Sequence, residues 1–139
     1  MNKPLIIDSS AFVSLGAVTD SNYENANKIG SLIRREDRSI IVPGDIFTET
    51  MNVVGKKIGH KAAIIQAKDI LLDQRLNIVE ITPQVRQNAL EKFKKQAESV
   101  SFTDCIVMAF ADEYETKEIF GFDDVFRKNG YIRIGIDKK

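Results

Sequence analysis

A single cysteine, Cys105, a single histidine, His60, and no tryptophan remove several classes of protein at once. One thiol forms no internal disulfide, and one Cys with one His builds no zinc cluster, so disulfide scaffolds and zinc-finger modules are both excluded. The expected setting is the reducing cytoplasm. Three prolines and eight glycines in 139 residues are too few for a collagenous or low-complexity chain. The first apolar run, Leu5-Ile6-Ile7, breaks at Asp8. Nowhere do about 18 apolar residues follow one another, so neither a signal peptide nor a membrane span is expected. The Gly55 to Gly59 stretch has no Gly-Lys-Ser/Thr ending, which excludes a phosphate-binding P-loop. An excess of either charge is also missing. Twenty Lys plus Arg offset twenty Asp plus Glu, and the sum alone gives no pull toward nucleic acid.

What remains reads as one α/β domain over residues 1–139, 43% hydrophobic and able to bury a core. Leu5-Ile6-Ile7 has the unalternating pattern of a strand buried on both faces, and it passes into a helix at Asp8-Ser9-Ser10. The same grammar recurs at residues 39–42, 77–81 and 118–122, with a last short strand at 131–134. Between them the apolar period turns helical. Phe47, Met51, Val54 and Ile58 form one stripe, Ile64, Ala67 and Leu71 a second, and Val85, Ala89, Phe93 and Ala97 a third. A weaker helix is predicted over 22–32, and residues 105–111 are apolar all round, as an internal helix would be. The expected fold class is a three-layer α/β/α sandwich around a mainly parallel sheet.

In such sheets ligands sit beyond the carboxyl ends of the strands. Asp8 and Asp123 each follow an apolar run there, and each is equally readable as a helix cap. Glu49 shares a helical face with Ile46 and Val53, which sets a carboxylate on an apolar stripe unless its stem reaches solvent. Asp104 opens the apolar helix just after Thr103, an N-cap candidate, and an acid in a first turn also answers the helix dipole. Carboxylates about 4 Å apart repel by roughly 4 kcal/mol per pair at an effective dielectric near 20. A cluster of them must share protons or hold cations, and an all-oxygen site suits Mg²⁺ or Mn²⁺.

Four blocks carry a family resemblance: Leu5-Ile6-Ile7-Asp8-Ser9-Ser10-Ala11, Val42-Pro43 with Glu49 six residues past the proline, Ser101-Phe102-Thr103-Asp104-Cys105, and Ile119 through Phe126. In order and spacing the chain resembles PIN-domain proteins, and among them VapC-type toxins of toxin–antitoxin pairs. The resemblance implies a metal-dependent endoribonuclease in which Asp8, Glu49, Asp104 and Asp123 surround one or two Mg²⁺ or Mn²⁺ ions. It also implies an RNA substrate, a homodimer and a cognate antitoxin, while the lack of a long apolar run leaves no membrane partner expected. Asp123 is preferred to Asp124 because the family places an aromatic three residues after its acid, and Phe126 fits. One departure is Gly121, which stands where the family often has Thr or Ser and implies a looser fourth position. Ser10 resembles a hydroxyl that orients a water or caps the helix.

The alternative is a PIN-like scaffold that binds RNA or protein without cutting, against which the presence of all four acids argues. A receiver-like signalling domain would need a paired acid near the first strand and a lysine at the last, and neither is there. Cys105 reads as a small core residue, and His60 as a solvated loop residue. The neutral charge sum hides a segregation. Residues 51–68 carry Lys56, Lys57, Lys61, Lys68 and His60 with no acid, whereas residues 98–124 hold eight acids and only Lys117. That suggests a basic rim beside an acidic pocket, with Arg34, Arg35 and Arg38, and Lys92, Lys94 and Lys95, as further candidates. Ile29, Leu32 and Ile33 form an apolar stripe for the core or a dimer contact, and Asp112, Glu113 and Glu115 read as a solvated helix end.

Overall fold

The computed structural model describes residues 3–138; Met1, Asn2 and Lys139, the ends of the expected domain, lie outside them. Five strands alternate with helices: β1 (Leu5–Ile7), α1 (Ser9–Gly16), α2 (Tyr23–Arg35), β2 (Ile40–Pro43), α3 (Gly44–Lys57), α4 (His60–Leu72), β3 (Leu76–Val79), α5 (Pro83–Lys94), α6 (Phe102–Glu113), β4 (Glu118–Phe120), α7 (Asp124–Lys128) and β5 (Ile132–Arg133). The strands form one sheet in the order β3-β2-β1-β4-β5, and every pairing is parallel.

That order places the site. From β1 to β2 and on to β3 the chain steps in one direction across the sheet, and from β4 to β5 it steps in the other. Right-handed crossovers therefore put α1 to α4 on one face and α5 to α7 on the opposite one. The expected three layers follow. The direction reverses between β1 and its neighbours β2 and β4, and at such a switch point a crevice opens at the carboxyl ends of the strands.

Central β1 is buried throughout, as is β2, which is why both read as unbroken apolar runs. Edge strand β3 is only partly covered. On α6, Cys105, Ile106, Val107, Met108, Ala109, Phe110 and Ala111 are all buried, the all-round pattern of a helix enclosed by α5 and the sheet. The α6 N-cap is Ser101, whose hydroxyl accepts from the Asp104 N–H at 3.1 Å, and not the Thr103 the sequence suggested.

Of the other expectations one is decided and two change. Ile29 and Ile33 of α2 are 5% and 1% exposed, so that stripe belongs to the core. On α4 the inward residues are Ala63 and Ile70, while Ile64 and Leu71 are exposed; the helix is apolar on two sides, and periodicity could not choose between them. His60 is the first residue of α4 and exposed, not a loop residue. No helix among the described residues is long and apolar enough to cross a membrane.

Candidate active site

Asp8 ends β1 at the switch point, with its N–H donating to the Phe120 carbonyl of β4 at 2.9 Å. It is both buried, at 4% exposure, and the N-cap of α1, so the cap and the site are the same carboxylate. Its Oδ2 accepts from the Ser10 N–H at 3.3 Å and the Ser10 hydroxyl at 2.7 Å. The Ser10 Oγ in turn accepts from the Phe122 N–H at 3.1 Å. Ser10 is therefore no helix cap. It ties the loop after β4 to the Asp8 carboxylate.

Burial pushes Asp8 up to about 6 against the hydrogen bonds of Ser10 and Ser9, and the charge of Glu49 adds to the rise. Asp104, in the first turn of α6, is pushed up to about 7, first by burial and then by the charges of Asp8 and Asp123. Each shift expresses the cost of keeping a carboxylate ionised away from water and near its like. Glu49 lies on α3, half-buried, and its Oε2 accepts from the Ser9 hydroxyl at 2.7 Å. The fold thus brings all four sequence-predicted acids into one electrostatically coupled series.

Asp123 caps α7 by accepting from the Val125 N–H at 3.2 Å. With Asp104 it lines a cavity of about 230 Å³. Asp124 lines the same cavity but is engaged by cations. Arg127 grips it with two bonds of 2.8 and 2.9 Å, and Lys128 and Arg133 each stand 3.6 Å away. The hydrogen bonds of Arg127 hold its carboxyl below the usual range. Asp104 feels the charge of Asp123, whereas Asp124 is held by Arg127, Lys128 and Arg133.

Gly121 does not loosen this corner. A β-carbon there would meet the Asp8 β-carbon at 2.9 Å and the Phe126 ring at 3.1 Å. The space that a threonine or serine would use is already filled by Asp8 and Phe126, while Asp123 itself stays exposed.

Two residues escaped the sequence reading. Ser9 orients Glu49 across 40 positions of sequence, a contact with no local signal. Glu80 follows β3 and presses its carboxylate on Gly44, the first residue of α3, and it lines a cavity of about 410 Å³ with Glu49 and Thr103. Its position at a strand end could have flagged it.

Among the described residues no ion pair involves Asp8, Glu49, Asp104 or Asp123. Their charge is uncompensated and their donors are all oxygen, which fits a hard divalent cation. As placed they form no ready cage, because no three His, Cys, Asp or Glu side chains among the described residues stand close enough to hold an ion.

Of the basic candidates, Arg38 is buried and structural. It donates to Glu118 Oε1 and to the Lys3 carbonyl, each at 2.7 Å, at the amino ends of the strands. Lys92 is held by Asp112 at 2.6 Å, and Asp112 also accepts from the Tyr131 hydroxyl at 2.7 Å. The expected solvated helix end is thus partly a polar contact. Lys56, Lys57, Lys61 and Lys68 line neither cavity beside the acids.

Comparison with solved structures finds a likeness to a crystal structure of Mycobacterium tuberculosis VapC20, described as a sarcin-ricin loop cleaving toxin. The TM-score is 0.82 at 19% identity, over 94% of this chain and 98% of that one. The two share a fold. No curated protein matches the sequence. The sequence pattern of the PIN domain matches residues 5–130, nearly the whole of the described chain, and the chain belongs to the PIN-domain family.

Proposed function

We propose that this protein is a Mg²⁺- or Mn²⁺-dependent endoribonuclease, the toxin of a type II toxin–antitoxin pair. The observation that supports the reading is the meeting of Asp104 and Asp123 in one cavity of a chain that matches the PIN domain over residues 5–130, with Asp104 also feeling Asp8 and, among the described residues, no ion pair to these acids. Asp8 and Asp104 are the first ligands, with Glu49 and Asp123 as direct or water-mediated supports. A divalent cation bound there supplies Lewis acidity, lowering the pKa of water and screening charge at phosphorus. Ser10 holds Asp8 in orientation and Ser9 holds Glu49. No nucleophilic side chain is needed.

The antitoxin follows from the likeness to a known toxin and from family membership. The homodimer has a local support in α4, where Ile65, Leu71 and Leu72 are 53%, 65% and 80% exposed. The test is cleavage of RNA by the purified protein with Mg²⁺ or Mn²⁺. Asp8→Asn and Asp104→Asn should each lower the rate by at least about 100-fold, the scale of a single electrostatic catalytic group, while remaining folded. Cleavage that survives excess chelator, or full rates in both variants, overturns the reading. Absence of any thermal shift on adding the metals, in a folded protein that still binds RNA, would favour the non-cutting module.

A further inference from the structure

The cavity holding Asp104 and Asp123 does not end there. A second cavity, of about 540 Å³, opens beside it, and Gln96, Lys128 and Asn129 line both. The two adjoin as one trough along α5, whose walls carry Glu91, Asp112 and Asp124 beside Lys92, Lys95 and Lys128.

A reciprocal amide clasp crosses this trough. Gln96 Nε2 donates to Asn129 Oδ1 at 2.9 Å, and Asn129 Nδ2 donates to Gln96 Oε1 at 3.1 Å. Asn129 Nδ2 also donates to the Val125 carbonyl at 2.8 Å, which secures the pair to α7. Each amide is the direct neighbour of a lysine, Lys95 before Gln96 and Lys128 before Asn129. The clasp therefore holds two lysine-bearing backbones together, one from each side.

These lysines differ from the others nearby. Lys92 is taken by Asp112 and Lys94 by Glu91. Lys95 is exposed and is in no ion pair among the described residues. Lys128 meets Asp124 only at 3.6 Å with both side chains well exposed, a pairing that water screens and a phosphate can displace. A polyanion approaching Asp104 and Asp123 is repelled by them, so its grip must come from cations along the way.

We infer that the trough is a phosphate track, in which Lys128 and Lys95 bind consecutive stretches of a single-stranded RNA backbone leading away from the acids. The inference rests on the ribonuclease reading and names the route its substrate takes. Contacts to single-stranded phosphates each contribute about 0.7 to the slope of log affinity against log salt.

The test is binding of a short fluorescein-labelled single-stranded RNA of mixed sequence to the full chain in excess chelator, titrated over about 50 to 200 mM salt. Lys95→Ala/Lys128→Ala should flatten the slope by about 1.4. With metal present it should raise KM for RNA cleavage and leave kcat unchanged. The comparison variant is Lys56→Ala/Lys57→Ala at the far end of α3, about 18 Å along the helix from Gly44, which should keep the wild-type slope. An unchanged slope in the trough variant, an equal loss in the comparison variant, or no RNA binding by the wild type overturns the inference. If the wild type cuts RNA while the trough variant behaves normally, the ribonuclease reading stands and the track falls. If the slopes change as expected but nothing is cut, the track stands without the enzyme.

Discussion

A β-carbon on Gly121 would lie 2.9 Å from the β-carbon of Asp8. The end of β4 comes so near the first acid that only a hydrogen fits between them, and the Phe126 ring closes the other side at 3.1 Å. Gly121→Ala should therefore destabilise the fold by about 1–3 kcal/mol, the usual cost of overpacking, and displace Asp8. Gly30, mid-helix on α2 with its nearest neighbour atom 4.0 Å from the built β-carbon, is the control. Gly30→Ala should stabilise by about 0.5–1 kcal/mol. Urea denaturation of the two variants checks both signs, and equal effects would reject the steric account.

The raised acids set the sign of the pH dependence. Burial lifts Asp8 from 3.8 to about 6, so between roughly pH 4 and 6 the folded state holds a proton that the unfolded state has released. Stability must fall as pH rises through that window, and Asp104, lifted to about 7, extends the fall upward. In chelator, Asp8→Asn removes a penalty on the order of 2–3 kcal/mol above pH 7 and little below pH 4. Denaturation midpoints at both ends measure the difference. A variant no more stabilising at pH 8 than at pH 4 would contradict the assignment.

The two serines after Asp8 should separate structure from function. Ser10→Ala removes a bond to Asp8 and leaves the Phe122 N–H without its acceptor, at about 1–3 kcal/mol. Ser9→Ala loses one half-exposed bond to Glu49, at about 0.5–1.5 kcal/mol. RNA cleavage should drop in both, while the melting temperature drops mainly for Ser10→Ala.

Arg38 tests whether a basic residue near an arginine cluster belongs to the RNA surface. Its guanidinium is buried against Glu118, and removing one partner of a buried pair costs about 3–5 kcal/mol. Arg38→Ala should lower stability by that amount and leave cleavage per folded molecule unchanged. A loss of RNA affinity at intact stability would reverse the assignment.

The amino-acid sequence by itself determined the class of fold and marked Asp8 and Asp123 as candidates at strand ends. Parallel strands buried on both faces must be written as unbroken apolar runs, and the carboxylates that end such runs fall on one edge of the sheet. Leu5-Ile6-Ile7-Asp8 and Ile119 through Asp123 carry that information locally. What only the tertiary structure decided depends on distant neighbours. The pairing that engages Asp124, with Arg127, Lys128 and Arg133 converging on it, adds to the sequence preference for Asp123 a reason no local pattern carries. The role of Gly121 came from Asp8, and that of Ser9 from Glu49. The lysine lining the cavity of Asp104 and Asp123 is Lys128 and none of the stretch at 56–68, because charge runs in sequence say nothing of which helix faces a cavity. Periodicity reports the faces a helix can bury; the strand order decides which partners it meets there, and Coulomb's law acts over those distances alone.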